Sequence, residues 1–216
     1  MFTGIIQEVG KLVRATSKGR GKELAFSCSK ILPEIHLGDS VCCNGVCLSA
    51  THILDTGFNA FAVGETLSKT NLGKLQAGHE VNMELALLPT TRLSGHYVTG
   101  HIDGLAVVSS IQKFSDGSIE MTLTMPDSFS RYCIPKGSVA LNGISLTIAK
   151  LQGRQLTVAV IPVTIAHTTL NKVTVGSSLN LELDIMGKYA EKLLGPYKPD
   201  GGSLSLQKLN QMGYDA

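Results

Sequence analysis

The chain is poor in three features that mark common classes of protein. Aromatic residues make up 5% of its 216 positions and tryptophan is absent, which disfavours a surface that stacks nucleic-acid bases. Basic residues are dispersed, with the densest group at Lys18 to Lys22, and the net charge is +2. Phosphate binding needs a concentrated basic face. No apolar run approaches the ~20 residues that span a bilayer. We therefore expect no nucleic-acid partner and no membrane partner.

The cysteines do not form a recognisable metal or disulfide pattern. There are five, and Cys42, Cys43 and Cys47 fall within six residues without paired C-x-x-C spacing. No second Cys/His pair completes a zinc site, so no metal is expected. Reduced thiols in a cytoplasmic protein are the better interpretation. The segment from Met1 to Val13 has no basic leader before an apolar stretch, which disfavours a signal peptide.

What the chain does contain is an internal repeat. Ser40–Ser49 matches Ser138–Thr147 at an offset of 98, with five identical residues. Three further blocks keep the same order, at offsets of 98, 98 and 96: Thr66–Leu72 with Thr164–Leu170, Val81–Leu85 with Leu179–Leu183, and Thr3–Ile6 with Thr99–Ile102. Chance similarity would not keep this register. We expect one half at 1–90 and another at 97–186, joined by a linker from Leu88 to Gly95.

Each half has the pattern of short strands. The strands predicted in the first half are Glu23–Ser29, Ser40–Cys43, Val46–Ile53, Gly57–Val63 and Glu80–Leu87. Asn44-Gly45 and Asn142-Gly143 predict type I′ hairpin turns, because both central residues of such a turn need positive φ. Five or six strands in about 90 residues favour a closed small barrel, which also removes exposed edges. The expected fold class is all-β.

Helices are few. Thr66–Leu72 and Thr164–Leu170 predict single helical turns, and Met186–Leu194 predicts one longer helix that Gly195-Pro196 ends. Tyr189, Leu193 and Leu194 give that helix an apolar side. A second short helix is expected at Leu204–Met212.

Three groups of residues carry a family resemblance: Met1–Ile6, the two N-G-[VI]-[CS]-L-[ST] blocks, and Gly95–Asp103. Together they resemble the α-chain type of the riboflavin synthase family, a lumazine-binding repeat family, over essentially residues 1–190. The resemblance implies two tandem six-stranded Greek-key β-barrels, and a C-terminal α-helix within 187–216 that assembles a homotrimer. It implies that two molecules of 6,7-dimethyl-8-ribityllumazine exchange a four-carbon unit. The products would be riboflavin and 5-amino-6-ribitylaminouracil, in the final step of riboflavin biosynthesis, with no cofactor.

The resemblance also implies where the substrates bind. Each barrel takes one lumazine, and the active site forms between the N-terminal barrel of one subunit and the C-terminal barrel of a neighbour. Association with lumazine synthase is a further partner expectation. Carried over position by position, the ligand contacts fall on Gly4, Ile5, Ile6, Cys47, Leu48, Ser49, Phe61, Ala62, Val63, Gly64, Glu65, Thr66, Gly100, His101, Ile102, Lys136, Ser145, Leu146, Thr147, Val160, Ile161, Pro162, Val163, Thr164 and Ile165.

Five residues are candidates for the chemistry. His101 is the first choice for proton transfer, with a hydrogen-bonded structural histidine as the alternative. Cys47 is either a nucleophile or a pocket wall, since no base is evident beside it. Ser40 and Thr147 either position a water or the substrate, or cap turns. Asp184 either orients His101 or ends a strand.

Two identical substrates must be made to react differently, so positions where the repeats disagree are informative. The mismatched pairs are His101 with Ile5, Lys136 with Gly38, Ser145 with Cys47, Glu65 with Val163, and Asp184 with Ala86. Three positions depart from the family pattern. Asn142 stands where an Asp is common, so no acid/base role is assigned to it. Ser49 replaces Thr but keeps the hydroxyl. Val163 replaces a residue that is often polar, which weakens a ribityl contact there.

Two other functions remain open from the sequence. A lumazine- or flavin-binding antenna protein would keep the fold without the chemistry. An unrelated two-barrel module for nucleic acid or a small ligand would keep only the architecture. His101 and the ligand-contact blocks in both halves favour the enzyme.

Overall fold

Two closed barrels make up most of the molecule in a computed structural model that describes residues 1–194. The strands of the first are β1 (Glu8–Lys18), β2 (Gly21–Ser27), β3 (Ser40–Cys43), β4 (Val46–Leu54), β5 (Gly57–Val63) and β6 (Glu80–Leu85). Those of the second are β7 (Gly104–Lys113), β8 (Ile119–Thr124), β9 (Ser138–Leu141), β10 (Ile144–Gln152), β11 (Gln155–Val160) and β12 (Ser178–Leu183). The predicted all-β class with two six-stranded barrels is confirmed.

Both barrels have one topology. The first runs β1-β2-β5-β4-β3-β6 and closes where β6 pairs with β1; the second runs β7-β8-β11-β10-β9-β12 and closes where β12 pairs with β7. Every pairing is antiparallel. The long crossing from β2 to β3, past β5 and β4, gives the Greek-key order. The repeat predicted from the sequence is therefore a repeat of topology.

Alternating side chains fill each barrel. Strand β8 shows this most simply, because Ile119, Met121 and Leu123 are buried while the residues between them are not. The first barrel has its own core around Phe26, which packs at 5.4 Å between ring centroids on Phe58. Burying such rings removes a large apolar area from water, so each barrel has its own hydrophobic stabilisation.

Short helical segments connect the strands. They are α1 (Gly64–Lys69), α2 (Pro162–Ala166), and 3₁₀ turns at Leu32–Glu34, Asn71–Lys74, Asp127–Tyr132 and Thr169–Lys172. The third α-helix, α3 (Ile185–Leu194), falls largely in a second compact unit that begins at Met186. It matches the helix predicted from Met186, whereas the one predicted at Leu204–Met212 lies outside the described residues. None of the helices within residues 1–194 has the length and apolarity to cross a bilayer.

The two Asn-Gly turns meet between the barrels. Asn44, Gly45, Asn142 and Gly143 all have positive φ, as predicted for type I′ turns. A Cβ at Gly143 would lie 2.7 Å from the backbone nitrogen of Gly45, and the reverse distance is 2.8 Å. Real Cβ atoms do not approach that closely, so both positions need glycine to let the turns touch.

A buried polar network surrounds this contact. Its members share burial and repeat symmetry: Asn44, Asn71, Asn82, Asn142, Thr169 and Asn180. The Asn180 amide donates to the Asn44 carbonyl at 2.7 Å, and the Asn82 amide donates to the Asn142 carbonyl at 3.0 Å. Each bond joins one half to the other. Because buried amides without partners are costly, the network holds the barrels in one relative placement.

Candidate active site

Two small cavities of about 230 Å³ occupy equivalent places in the two halves. We call the first the N-site; it is lined by Val46, Cys47, Val63, Glu65, Thr66, Lys69, Thr70, Gly100, His101 and Ile102. The second, the C-site, is lined by Gly4, Ile5, Ile6, Ile144, Ser145, Val163, Thr164, His167 and Thr168. The repeat offsets relate nearly all of these residues in pairs. A duplicated domain has therefore produced two cavities of one design.

Each cavity is built from both halves of the chain. Residues 100–102 belong to the second repeat but close the N-site in the first barrel, and residues 4–6 close the C-site in the second. The Gly100 carbonyl accepts from the Cys47 amide at 2.9 Å, and the Gly4 carbonyl accepts from the Ser145 amide at 2.8 Å. Ile102 packs on the core of the first barrel and Ile6 on that of the second. Residues 3–6 and 99–102 therefore serve the opposite barrels reciprocally, and we call them the exchange segments.

Glycine makes this close approach possible. Gly100 has φ +81°, and a Cβ there would lie 2.5 Å from the Cys47 side chain; Gly4 has φ +78° and would place a Cβ 2.6 Å from Ser145. An L-residue would be strained by the backbone angle and would also collide with the neighbouring strand. The exchange segments are also tied together, because Phe2 and Val98 form a backbone bridge with N···O distances of 2.7 and 3.1 Å.

Threonine hydroxyls shape the helical wall of each cavity. Thr70 donates to the carbonyl of Thr66 at 2.7 Å and accepts from the amide of Leu72 at 3.3 Å. Thr168 repeats this with Thr164, at 2.6 Å. Thr70 ends α1, and both threonines are the N-caps of the 3₁₀ turns that follow, a local capping that Ser and Thr favour. It fixes Thr66 and Thr164 at the cavity surface.

The two cavities differ in chemistry. In the N-site, Glu65 and Lys69 form an exposed ion pair at 2.8 Å, and each raises the charged population of the other, lowering the pKa of Glu65 and raising that of Lys69. The C-site has Val163 and His167 at those positions, and the His167 ring is 2.8 Å from the Val163 carbonyl. His101 in the N-site corresponds, by the offset of the repeat, to Ile5 in the C-site. The N-site is therefore the more polar of the two.

The structure brings about half of the sequence-predicted contacts into a cavity. Those in the N-site are Cys47, Val63, Glu65, Thr66, Gly100, His101 and Ile102, and those in the C-site are Gly4, Ile5, Ile6, Ser145, Val163 and Thr164. Four others have side chains buried in the structure: Leu48, Ala62, Leu146 and Val160. The rest are not among the residues that line either cavity: Ser49, Phe61, Gly64, Lys136, Thr147, Ile161, Pro162 and Ile165.

Two of the five chemical candidates, His101 and Cys47, line the N-site. Ser40 instead lines a larger cavity of about 410 Å³ beside the linker, together with Arg92, Glu84 and Ile5. Thr147 is exposed on β10. Asp184 follows β12 and is close enough to His96 to oppose the burial that lowers the pKa of that histidine. Within one chain, the five residues do not converge on one point.

Among the thiols, Cys47 is the one that lines the N-site or the C-site. All five cysteines are free. Burial raises the pKa of Cys42 well above its ordinary value, and likewise that of Cys43, so these thiols stay protonated and unreactive. The pKa of Cys28 is raised to about 11, chiefly by burial. Cys47 is half-buried at the cavity wall.

Sequence reasoning did not single out three polar residues beside the cavities. His96 is buried, and its Nδ1 lies 2.8 Å from the Ser145 hydroxyl. Burial lowers the pKa of His96, and the nearby Asp184 opposes that shift. Glu84 and Glu182 are buried carboxylates that hold the exchange segments. The signal for the glutamates was present, because both lie in the matched blocks Val81–Leu85 and Leu179–Leu183.

Known proteins are similar to this chain in sequence. The family model described as "Lumazine binding domain" matches residues 3–86 and again 99–184. A riboflavin synthase of Actinobacillus pleuropneumoniae is 39% identical over 99% of this chain and 100% of its own length. One of Bacillus subtilis (strain 168) is also 39% identical, over 90% of each chain.

Solved structures show the same fold. The crystal structure of LumP complexed with 6,7-dimethyl-8-(1'-D-ribityl) lumazine superposes with a TM-score of 0.77, at 21% identity, covering 85% of this chain and 99% of that one. LumP complexed with riboflavin gives a TM-score of 0.78 at 22% identity and the same coverage. Within residues 1–194 no group of three or more His, Cys, Asp or Glu side chains is arranged to hold a metal ion.

Proposed function

Because this chain belongs to the lumazine-binding-domain family, with riboflavin synthases as full-length relatives, we propose that it is an enzyme of riboflavin synthesis. It transfers a four-carbon unit between two molecules of 6,7-dimethyl-8-ribityllumazine. The products are riboflavin and 5-amino-6-ribitylaminouracil. The reaction makes it a transferase.

One observation carries the proposal: the chain has two cavities of one design that differ in a few reactive side chains. A reaction between two identical molecules needs two similar binding sites. It also needs the molecules to play unlike parts, one giving carbons and the other receiving them. Holding both reactants turns a bimolecular step into a nearly unimolecular one. The matched residues bind, and the unmatched residues make the two substrates inequivalent.

Each cavity offers backbone groups and one threonine hydroxyl for the polar edge of a lumazine. Thr66 serves the N-site and Thr164 the C-site. Apolar walls such as Ile102 and Ile6 suit the flat heterocycle. Glu65 and Lys69 can hydrogen-bond ribityl hydroxyls in the N-site, whereas Val163 cannot do so in the C-site. We place the stronger ribityl anchor in the N-site.

His101 is the residue assigned to proton transfer. The lumazine methyl group that must lose a proton is activated by its own ring, so a modest base suffices. His101 is exposed at the N-site wall, where a partner ring can approach it. Cys47 lies at the same wall and is placed either to add to the ring or to line it. Ser40 and Thr147 are proposed to position a water or the substrate, and Asp184 is proposed to orient His101.

The scatter of these five residues within one chain supports an active site shared between subunits. The N-terminal barrel of one subunit would face the C-terminal barrel of the next in a homotrimer. Helix α3 carries exposed apolar side chains, Tyr189 and Leu193 among them, that suit an assembly contact. We propose the segment boundaries 1–90, 97–186 and 187–216 on the same basis. A cytoplasmic location and association with lumazine synthase belong to this proposal.

The deciding experiment supplies purified protein with 6,7-dimethyl-8-ribityllumazine alone. One riboflavin and one pyrimidine product should form for every two lumazines consumed. Tight binding of a lumazine that stays unchanged would instead assign the chain to the lumazine-binding proteins without activity. For assembly, sedimentation of the full chain should give trimers. A chain ending at Gly187 should give monomers of low activity.

A further inference from the structure

Two buried carboxylates hold the exchange segments in place. Glu182 lies on β12 with 2% of its surface exposed, and Glu84 occupies the matching position on β6 with 3% exposed. A buried carboxylate needs several hydrogen-bond donors to replace lost hydration. Both glutamates find them in the residues that begin an exchange segment.

The contacts of Glu182 form a clamp on Thr99 and Gly100. Its Oε1 accepts from the Thr99 amide and from the Thr99 hydroxyl, both at 2.6 Å, and its Oε2 accepts from the Gly100 amide at 3.0 Å. The Thr99 hydroxyl in turn accepts from the His101 amide at 3.3 Å. The Gly100 carbonyl continues the chain of contacts to the Cys47 amide. The backbone on both sides of the Gly100–His101 bond is therefore fixed.

Glu84 makes the same clamp on the other segment. Its oxygens accept from the Thr3 amide and hydroxyl, both at 2.7 Å, and from the Gly4 amide at 2.9 Å. The Thr3 hydroxyl accepts from the Ile5 amide at 3.2 Å. The residue that this clamp presents to the C-site is Ile5, which has no proton to transfer. The two clamps are alike, and the residues that they deliver are unlike.

We propose that Glu182 is a positioning residue for the reaction, acting by holding His101 at the wall of the N-site. Glu84 performs the same mechanical task for Ile5, an apolar residue of the C-site wall. This assignment rests on the proposed function of His101 in proton transfer. Glu182 itself touches no substrate.

Substitution by glutamine tests this in both clamps. An amide has the size of the carboxylate but presents an N–H to one of the three donors, so two donors then face each other. In the Glu182→Gln variant we expect kcat to fall by about 10- to 100-fold, the loss typical of a small displacement of a reacting group. The Glu84→Gln variant should change the Michaelis constant more than kcat. Thermal unfolding of both variants shows how much stability each loses, since burial and the three clamp bonds are alike in the two glutamates.

A double-variant comparison separates positioning from general damage. If Glu182 acts through His101, then Glu182→Gln should lower kcat no further in a chain that already carries His101→Ala. Glu84→Gln should still add its own effect there. The proposal would be overturned if the fold-loss of kcat in the double variant Glu182→Gln, His101→Ala equalled the product of the two single losses. Equal kcat losses for the two glutamine variants would also overturn it.

A measurement independent of turnover keeps this test separate from the proposed function. In protein labelled at histidine, the NMR signals of the His101 ring, identified by their loss in His101→Ala, should shift in Glu182→Gln and not in Glu84→Gln. Unshifted signals in Glu182→Gln would refute the positioning role. Failure to form riboflavin with shifted signals would refute only the assigned reaction.

Discussion

The buried amide network allows a quantitative prediction, because its two halves are not quite equal. The Asn180 side chain makes three bonds: it accepts from the Asn71 amide at 2.7 Å and donates to the Asn44 carbonyl at 2.7 Å and to the Asn71 side-chain oxygen at 3.0 Å. Its counterpart Asn82 makes two, accepting from the Thr169 amide at 2.8 Å and donating to the Asn142 carbonyl at 3.0 Å. The missing bond follows from threonine standing where the first half has Asn71.

Removing either amide should therefore destabilise the fold by different amounts. At about 1 kcal/mol for each hydrogen bond lost, Asn180→Ala should cost about 3 kcal/mol and Asn82→Ala about 2 kcal/mol. For a chain of this size these costs lower Tm by about 6–12 °C and about 4–8 °C respectively. Thermal unfolding at one protein concentration measures both, and the identical substitution makes each variant the control for the other. Equal losses, or a larger loss for Asn82→Ala, would refute the count of bonds as the cause.

A third variant tests the same reasoning by addition. The Thr169 hydroxyl is buried without a hydrogen-bond partner among the described residues. Thr169→Asn would supply the amide that Asn71 supplies in the other half. We expect Asn82→Ala to become as costly as Asn180→Ala when it is made in the Thr169→Asn background. An unchanged gap between the two alanine variants would mean that the added amide makes no bond.

Three other predictions follow from single residues. His101→Ala should reduce riboflavin formation far more than it weakens lumazine binding in a fluorescence titration; equal losses would make His101 a binding or structural residue. In urea unfolding, Gly143→Ala should lower the free energy of unfolding by more than the ~1–2 kcal/mol of a left-handed alanine, because its Cβ would meet the Gly45 backbone. Gly176→Ala is the control, because its Cβ would enter open space and should lose only that amount. Burial lowers the pKa of His96 below 6.5, so the unfolded chain binds a proton that the folded chain refuses. The free energy of unfolding should then fall as pH drops below about 6.5. His96→Gln should make that fall shallower. The exposed His52→Gln, which is the control for loss of an imidazole, should leave it unchanged.

Most of the fold could be predicted because matching sequence blocks occur in both halves, so a strand or turn predicted in one half supports the same element in the other. Strands β3 and β5 have the predicted bounds, Ser40–Cys43 and Gly57–Val63, since turn residues mark their ends. Strand β1 was not predicted. Among its eleven residues only Gly10 and Leu12 are buried, so the strand lacks the alternation of apolar and polar residues that would predict it. Pairing with β2 and β6, rather than its own pattern, makes it a strand.

The candidate site was predictable in composition but not in assembly. Aligning Gly4 with Gly100 identifies equivalent segments, yet it gives no indication that each segment serves the opposite barrel. Asn82 and Glu84 alternate along one strand between apolar neighbours, and alternation alone does not say that they face a partner half. The alignment of Lys136 with Gly38 also does not show where the lysine lies. Lys136 occupies an exposed left-handed turn at φ 65°, where the first half has Gly38 at φ 91°. Its role as a ligand contact stays a prediction.

The reciprocal exchange has a consequence for how this duplicated gene can diverge. A mutation at residues 100–102 lies in the second repeat but alters the first cavity, and one at residues 4–6 does the converse. Selection on one cavity therefore leaves its record in both repeats, and neither repeat can drift freely once its twin has specialised. Anyone redesigning the ligand preference of one cavity should randomise a barrel wall and the opposite repeat's segment together, as a single library.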